Sequence, residues 1–300
     1  MMENRNEQIA AASGVFAIGG DLPVSRLGFG AMRLTGEGIW GPPKDKDVAI
    51  AVLKRAWDLG ITLIDTAEAY GPEISESLIA EALYPYPKGL VIATKGGLLR
   101  TGPNQFRPDG RPQRLRQDLE GSLRRLRVDQ IDVYQLHYPD PRVPFEDSVG
   151  EIAKMKAEGK IRHVGLSNVT IDQLTAAQKI VPIVTVQNHY NLEQPQAVGI
   201  DIQQTAALID LCARENIGFI PWHPRSVGDL ARPGSVLDQI SRRYNAQSSQ
   251  IALAWLLKRS PTILPIPGTA SVKHLEENVE AAKIRLSQDE FEAIRRVAHA

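Results

Sequence analysis

Apolar residues in this chain fall into two alternating rhythms. Short, often β-branched runs at Leu27–Met32, Ile61–Ile64, Leu90–Thr94, Ile131–Leu136, Ile161–Leu166, Ile183–Val186, Ile217–Pro221 and Ile263–Ile266 read as buried strands. Between them the spacing turns helical: Ala49, Val52, Leu53, Ala56 and Trp57 share one face, then Leu115, Leu119, Leu123 and Leu126, then Phe145, Val149 and Ile152. Further helices are expected near Glu73–Leu83, Ile171–Lys179, Ile202–Arg214, Val236–Tyr244, Ser248–Lys258 and Gln288–Val297. Repeated strand–helix units imply a parallel sheet with right-handed crossovers, and eight of them suit a closed α/β barrel. An open doubly wound sheet is the alternative, but no Gly-x-Gly-x-x-Gly follows the first strand. Two apolar runs flanking Gly19-Gly20-Asp21 predict a hairpin ahead of the first strand. The expected fold is therefore a (β/α)8 TIM barrel with an N-terminal β-hairpin and extra helices near the C-terminus. Residues 1–14 read as a flexible leader and 15–300 as one domain.

Composition narrows the partners. Lys plus Arg and Asp plus Glu are 35 each, which supports neither a nucleic-acid nor a membrane partner. An Arg-rich helix near Arg111–Arg127 (also Arg114, Arg116, Arg124 and Arg125), broken by Asp118 and Glu120, reads as a solvated face. The one cysteine, Cys212, rules out an internal disulfide or a thiolate metal cluster. No secretory signal or membrane-length apolar run is present, so a cytoplasmic monomer or weak homo-oligomer is expected.

Polar residues close the apolar runs: Asp65, Lys95, His137, Ser167-Asn168 and Gln187-Asn188. In a barrel such ends converge on one mouth. Tyr70 follows Asp65 by five positions. An ammonium at Lys95 would satisfy Asp65 and lower the phenol of Tyr70 from ~10 by roughly 1–3 units, making an acid/base of it. His137 is suited to orient a carbonyl oxygen. No metal-ligand spacing or serine elbow accompanies this set, so a hydride cofactor must supply the electron pair. A Schiff-base lyase using Lys95 is a competing chemistry.

The motifs RLGFGAMRL, IDTAEAYG, VIATKGG, YQLHYPD, HVGLSN, VQNHYN and PIPGTASVKHLEENVEAA make the chain resemble the aldo-keto reductase family, from about Phe16 to Ala282. The resemblance implies an eight-stranded barrel and reduction of an aldehyde or ketone by NADPH. Tyr70 becomes the general acid, tuned by Lys95 and Asp65, and His137 positions the carbonyl. Asp65 also counts among the cofactor residues, with Gly30, Ala31, Met32 and Ile266. Ser167, Asn168 and Gln187 match the residues that hold the nicotinamide carboxamide, and Trp222 the aromatic that stacks on its ring. The loop HPRSVGDL, with His223, Pro224 and Arg225, is expected at the pyrophosphate. Gly268, Thr269, Ser271, His274, Glu277 and Asn278 match the adenosine-phosphate segment. His274 stands where many relatives carry Arg, which admits NADH beside NADPH. Trp40 and Tyr138 are the expected substrate-pocket walls. GIWGPPKD resembles a bacterial branch that includes pyridoxal reductases, and the family also holds cofactor-sensing regulatory subunits.

Overall fold

The computed structural model describes residues 8–192, 202–225 and 227–298. Strands β1 (Val15–Ile18) and β2 (Leu22–Ser25) form the expected hairpin, with Ile18 paired to Leu22. Gly19 and Gly20 turn it at φ 64° and 85°, values that side-chain-bearing residues resist. Strands and helices then alternate: β3 (Phe29–Gly30), α1 (Lys46–Asp58), β4 (Leu63–Asp65), α2 (Ile74–Leu83) and β5 (Val91–Gly96). A second hairpin follows, β6 (Leu98–Gly102) and β7 (Gln105–Pro108). After it come α3 (Pro112–Leu126), β8 (Ile131–Leu136), α4 (Phe145–Ala157), β9 (Ile161–Ser167), α5 (Ile171–Gln178) and β10 (Ile183–Gln187). The chain continues through α6 (Ile202–Arg214), β11 (Gly218–Phe219), α7 (Val236–Arg243), α8 (Ser248–Arg259), α9 (Val272–Glu280) and α10 (Gln288–Ala298).

Seven strands form one curled parallel sheet in the order β3, β4, β5, β8, β9, β10, β11. Helices cover its outer face, which is why every position of β5 is buried and its sequence is a nearly continuous apolar run. The helices are fixed by their own ends. Asp45 caps α1 by accepting from Val48 N, and Gly60 leaves it at φ 85°. Thr170 and Gln173 form a reciprocal capping box on α5. Val52 and Leu53 of α1 are fully buried, each worth about 1.5–3 kcal/mol in apolar area removed from water.

Three expectations change. The first core run is shorter than Leu27–Met32: only Phe29–Gly30 is strand, and Ala31–Leu34 coils into a 3-10 turn. The last run, residues 263–266, forms no ladder, because Pro265 and Pro267 have no N–H to give. Its remaining groups still reach both ends of the sheet. Phe219 N donates to Thr262 O (2.9 Å), Leu264 N to Phe219 O (2.8 Å), and Gly28 N to Pro265 O (2.9 Å). The expected leader is packed from residue 9 onward. Ile9–Ser13 forms a 3-10 turn, Ala10 and Ser13 are buried, and Leu27 N donates to Ser13 Oγ at 3.0 Å. Residues 1–7 of that leader, and Ser226 of HPRSVGDL, lie outside the described residues. Among the described residues no helix is long and apolar enough to cross a membrane.

Candidate active site

Parallel register brings the strand ends together. Asp65 closes β4, and Lys95 on β5 lies opposite Gln135 of β8. Both charged side chains are essentially out of water, Lys95 at 0% and Asp65 at 1% exposure. The Lys95 ammonium has three N–H bonds and spends all of them: on Asp65 Oδ1 (2.5 Å), Thr66 O (2.9 Å) and Tyr70 Oη (3.3 Å). An ammonium can only donate, so the Tyr70 oxygen is the acceptor and the phenol keeps its own proton. The other carboxylate oxygen of Asp65 accepts from Gln187 Nε2 (2.8 Å) and Gln135 Nε2 (3.2 Å). The His137 ring stands edge-on to Tyr70 with centroids 5.8 Å apart, and its Nδ1 is buried without a partner.

The electrostatics overturn the expected tuning of Tyr70. Burial pushes its phenol above the ordinary tyrosine value, and this outweighs the pull of Lys95, whose charge is largely answered by Asp65. Lys95 is itself held above its ordinary value: burial opposes the charge, but Asp65 and Tyr70 more than compensate. His137 is driven well below the usual histidine value, first by burial and then by the charges of Lys95 and Arg100. At neutral pH the site therefore presents a protonated phenol, a charged ammonium and a neutral imidazole.

These groups open into a cavity of about 490 Å³. Of the residues expected around the cofactor, Gly30, Met32, Asp65, Ser167, Asn168, Gln187, Trp222, His223, Pro224, Arg225, Ile266 and Gly268 line it. They are held by one another. The Trp222 indole donates to Asn168 Oδ1 (3.1 Å), and Asn168 Nδ2 donates to Ser167 Oγ (3.0 Å) and His137 O (3.1 Å). Gly30 and Gly268 are required by nearby backbone: a Cβ on Gly268 would stand 2.5 Å from Gly30 O, and one on Gly30 2.6 Å from Ile266 O.

Several expected residues stand back from the cavity. Ala31 is fully buried. Thr269 Oγ1 accepts from Ser271 N (3.1 Å), and Ser271 Oγ caps α9 by accepting from His274 N (3.4 Å). His274 is exposed on α9, and Glu277 faces Lys273 at 3.9 Å. Asn278 is buried; its Oδ1 accepts from Arg225 Nη1 at 3.4 Å and its Nδ2 has no partner. Asn188 bonds Val169 through both ends of its amide (3.1 and 2.8 Å) and is a structural clamp. Tyr138 lines the cavity as expected, but Trp40 does not. Its backbone bridges Gly71, and Ile39, in a left-handed conformation at φ 57°, takes the wall position instead.

Sequence reasoning missed Gln135, Arg33, Ile39, Leu98, Arg100, Phe106 and Ser249. Gln135 carried a signal, a polar residue inside the run IDVYQL. The hairpin β6–β7 brings Leu98, Arg100 and Phe106, and its turn TGPN was legible as turn chemistry. Arg33 lines the cavity near Arg225, and no carboxylate of the described residues pairs with either guanidinium. Arg225 is held below the usual arginine value by burial first and then by the charge of Arg33. Two like charges at one cavity, neither paired with a carboxylate, suit a polyanion. The cavity thus carries polar amide and hydroxyl side chains, an indole and two guanidiniums, the residue types a dinucleotide needs. Among the described residues no three His, Cys, Asp or Glu side chains converge as a metal site.

A parallel α/β sheet with Asp, Tyr, Lys and His gathered at its strand ends defines a class that comparison with known proteins bears out. The sequence profile of the Aldo/keto reductase family matches residues 26–299. An uncharacterised oxidoreductase of Schizosaccharomyces pombe is 55% identical over 91% of this chain and 86% of its own. Pyridoxine 4-dehydrogenase of Escherichia coli is 41% identical, covering 93% and 96%. Among solved structures, the thermostable aldo-keto reductase Tm1743, in complex with the inhibitor epalrestat, superposes with a TM-score of 0.80 at 27% identity, covering 94% of this chain and 99% of that one. The chain belongs to the aldo/keto reductase family, and membership makes it an NADP(H)-dependent oxidoreductase.

Proposed function

We propose that this protein reduces the carbonyl group of a small aldehyde or ketone to the alcohol, with Tyr70 as the proton donor. The observation that carries this reading is the Lys95 ammonium, whose three donors are all spent and whose bond to Tyr70 leaves the phenolic proton to the cavity. When bound, NADPH supplies the hydride. Ser167, Asn168 and Gln187 would hold its carboxamide, Trp222 would flank its ring, and Arg33 and Arg225 would take its phosphates. Gln187 gives one N–H to Asp65, which leaves its other N–H and its carbonyl oxygen for the ligand. Neutral His137 donates to the substrate oxygen. As negative charge grows there, Tyr70 Oη–H passes its proton to that oxygen, and the phenolate left behind faces Lys95. We also read residues 263–266 as the eighth segment, closing a (β/α)8 barrel through single bonds rather than a ladder, and the chain from the 3-10 turn Ile9–Ser13 onward as a single domain.

The test is Tyr70→Phe. Its kcat should fall by about 10²–10⁴ while NADPH affinity stays within a small factor. Full turnover by the variant would end the assignment. Any turnover of a generic aldehyde by the wild type also removes the reading as a regulatory subunit. Because the Escherichia coli relative matches nearly end to end, pyridoxal is the first substrate to try.

A further inference from the structure

Arg100 on β6 lines the same cavity as Tyr70 and His137 and is itself only 8% exposed. Its guanidinium makes four hydrogen bonds, all to backbone carbonyls. Nε donates to Gln105 O (3.0 Å), Nη1 to Ala69 O (3.5 Å), and Nη2 to Gly38 O (2.7 Å) and Gly102 O (3.3 Å). A guanidinium has five N–H bonds, so one on Nη1 is left over. No carboxylate of the described residues pairs with it.

A cation withdrawn from water is costly unless an anion meets it. Other withdrawn guanidiniums show how this protein meets that cost. Arg114 and Arg125 have acids directly upon them. Arg26 has none, but it donates to Leu257 O and Ser260 O at the C-terminal end of α8, where the helix dipole is negative. Arg100 has neither an acid nor a helix end. What it has is an opening onto the cavity, walled by Leu98, Phe106 and Tyr138, where low polarity strengthens any ion pair. Its charge is felt at both Tyr70 and His137.

We infer that Arg100 selects substrate charge: the favoured carbonyl compounds carry a second, negatively charged oxygen group, a carboxylate or a phosphate, which pairs with the free N–H of Arg100 while the carbonyl oxygen lies at Tyr70 and His137. This rests on the carbonyl-reductase reading above. The same side chain ties three loops together, through Gly38, Ala69 and Gln105, so the test must separate charge selection from stapling.

The experiment compares 4-formylbenzoate with its methyl ester, and 4-formylphenyl phosphate with 4-methoxybenzaldehyde, in wild type, Arg100→Lys and Arg100→Met. Calorimetric Kd, with and without NADP+, is read alongside NADPH oxidation. The wild type should favour at least one anion over its neutral partner by about 10- to 100-fold, in Kd and KM rather than kcat. Whichever pair responds identifies the anion. Arg100→Met should bring that ratio close to one, and Arg100→Lys, which keeps the charge but not the fork, should retain part of it. A wild-type ratio near one for both pairs overturns the inference without any variant. So does an equal loss for anion and neutral partner in Met and Lys alike, which is the mark of a staple. Absence of turnover with an intact ratio of Kd values would sink the reductase reading and leave charge selection standing.

Discussion

Two buried charge clusters hang from one strand, and only one of them is built for chemistry. Successive residues of β5 face opposite ways. Lys95 points inward to Asp65 and Tyr70, while Thr94 points outward and donates to Glu76 Oε1 at 2.5 Å. On the outer side, Arg125 meets Glu76 at 2.7 Å and Glu73 at 3.1 Å, and Arg114 meets Asp118 at 2.8 Å and Glu68 at 3.2 Å. Burial and perturbed acidity are common to both clusters. Glu68 is pushed up to about 7, by burial first and then by Asp118, and Asp118 up to about 6, mainly by burial. Judged by acidity alone, Glu68 is the best-tuned carboxyl among the described residues, yet it faces Arg114 and lines no part of the cavity. What separates the clusters is unspent bonding capacity next to open space. Outside, the acids meet cations. Inside, a phenolic proton and one guanidinium N–H remain beside a 490 Å³ cavity.

That contrast can be broken from either side. Replacing the inner pair together, Asp65→Asn with Lys95→Met, should cost kcat about 10²–10⁴, because the phenolate then forms beside no cation. The fold should tolerate the change, since exchanging a whole buried ion pair for uncharged groups is often neutral or stabilising by about 1–4 kcal/mol. Arg125→Met should do the reverse. It strands Glu76, a carboxylate at 0% exposure, with Thr94 alone, and denaturation should register a loss of about 3–5 kcal/mol. The folded fraction should turn over close to the wild-type rate. A dead but stable Arg125→Met protein would mean that the two clusters are one machine.

The inner cluster was largely legible in the sequence because it obeys a short-range rule: a polar residue at the end of each apolar run. Asp65, Lys95, His137, Ser167 and Gln187 all follow it. The outer cluster was not, because all its pairs but Arg114 with Asp118 join elements 18 to 52 positions apart, and helical periodicity marks only Leu115, Leu119, Leu123 and Leu126 on α3. Arg114 and Arg125 were expected to face solvent, and their actual partners sit on α2, on the loop after β4 and on α3 itself. The substrate end was hidden for another reason. Arg33, Ile39 and Arg100 lie on loops and a hairpin whose placement depends on contacts such as Arg100 with Gly38 O, and no local pattern encodes those. Proline explains the missing ladder at 263–266: the apolar run was visible, but its capacity to pair was not counted.

The smallest effect is also the one that separates the clusters by pH. Glu68 has a folded value of about 7 against an ordinary 4.5, so the folded state holds its proton more tightly than the unfolded chain does. Its contribution to stability is thus fully present below about 4.5 and is lost as pH rises through about 7. Asp118 acts in the same direction between 3.8 and about 6. Tyr70 and Lys95 are both raised, so they hold their protons throughout the range from pH 5 to 8 and add no slope there. Between pH 5 and 8 the outer cluster should therefore lose stability, opposed below about pH 6.5 by His137, which is neutral when folded, while the proton-donating group of the inner cluster stays loaded. Glu68→Gln removes the titration without removing the side chain's volume. Urea denaturation should find the variant more stable than wild type at pH 8, by at most about 3 kcal/mol, with the gap closing toward pH 4.5. A gap that does not change with pH, or a variant less stable at pH 8, would show that Glu68 is held ionised by Arg114 and Arg125 after all. The outer cluster would then be as fully charged as the inner one.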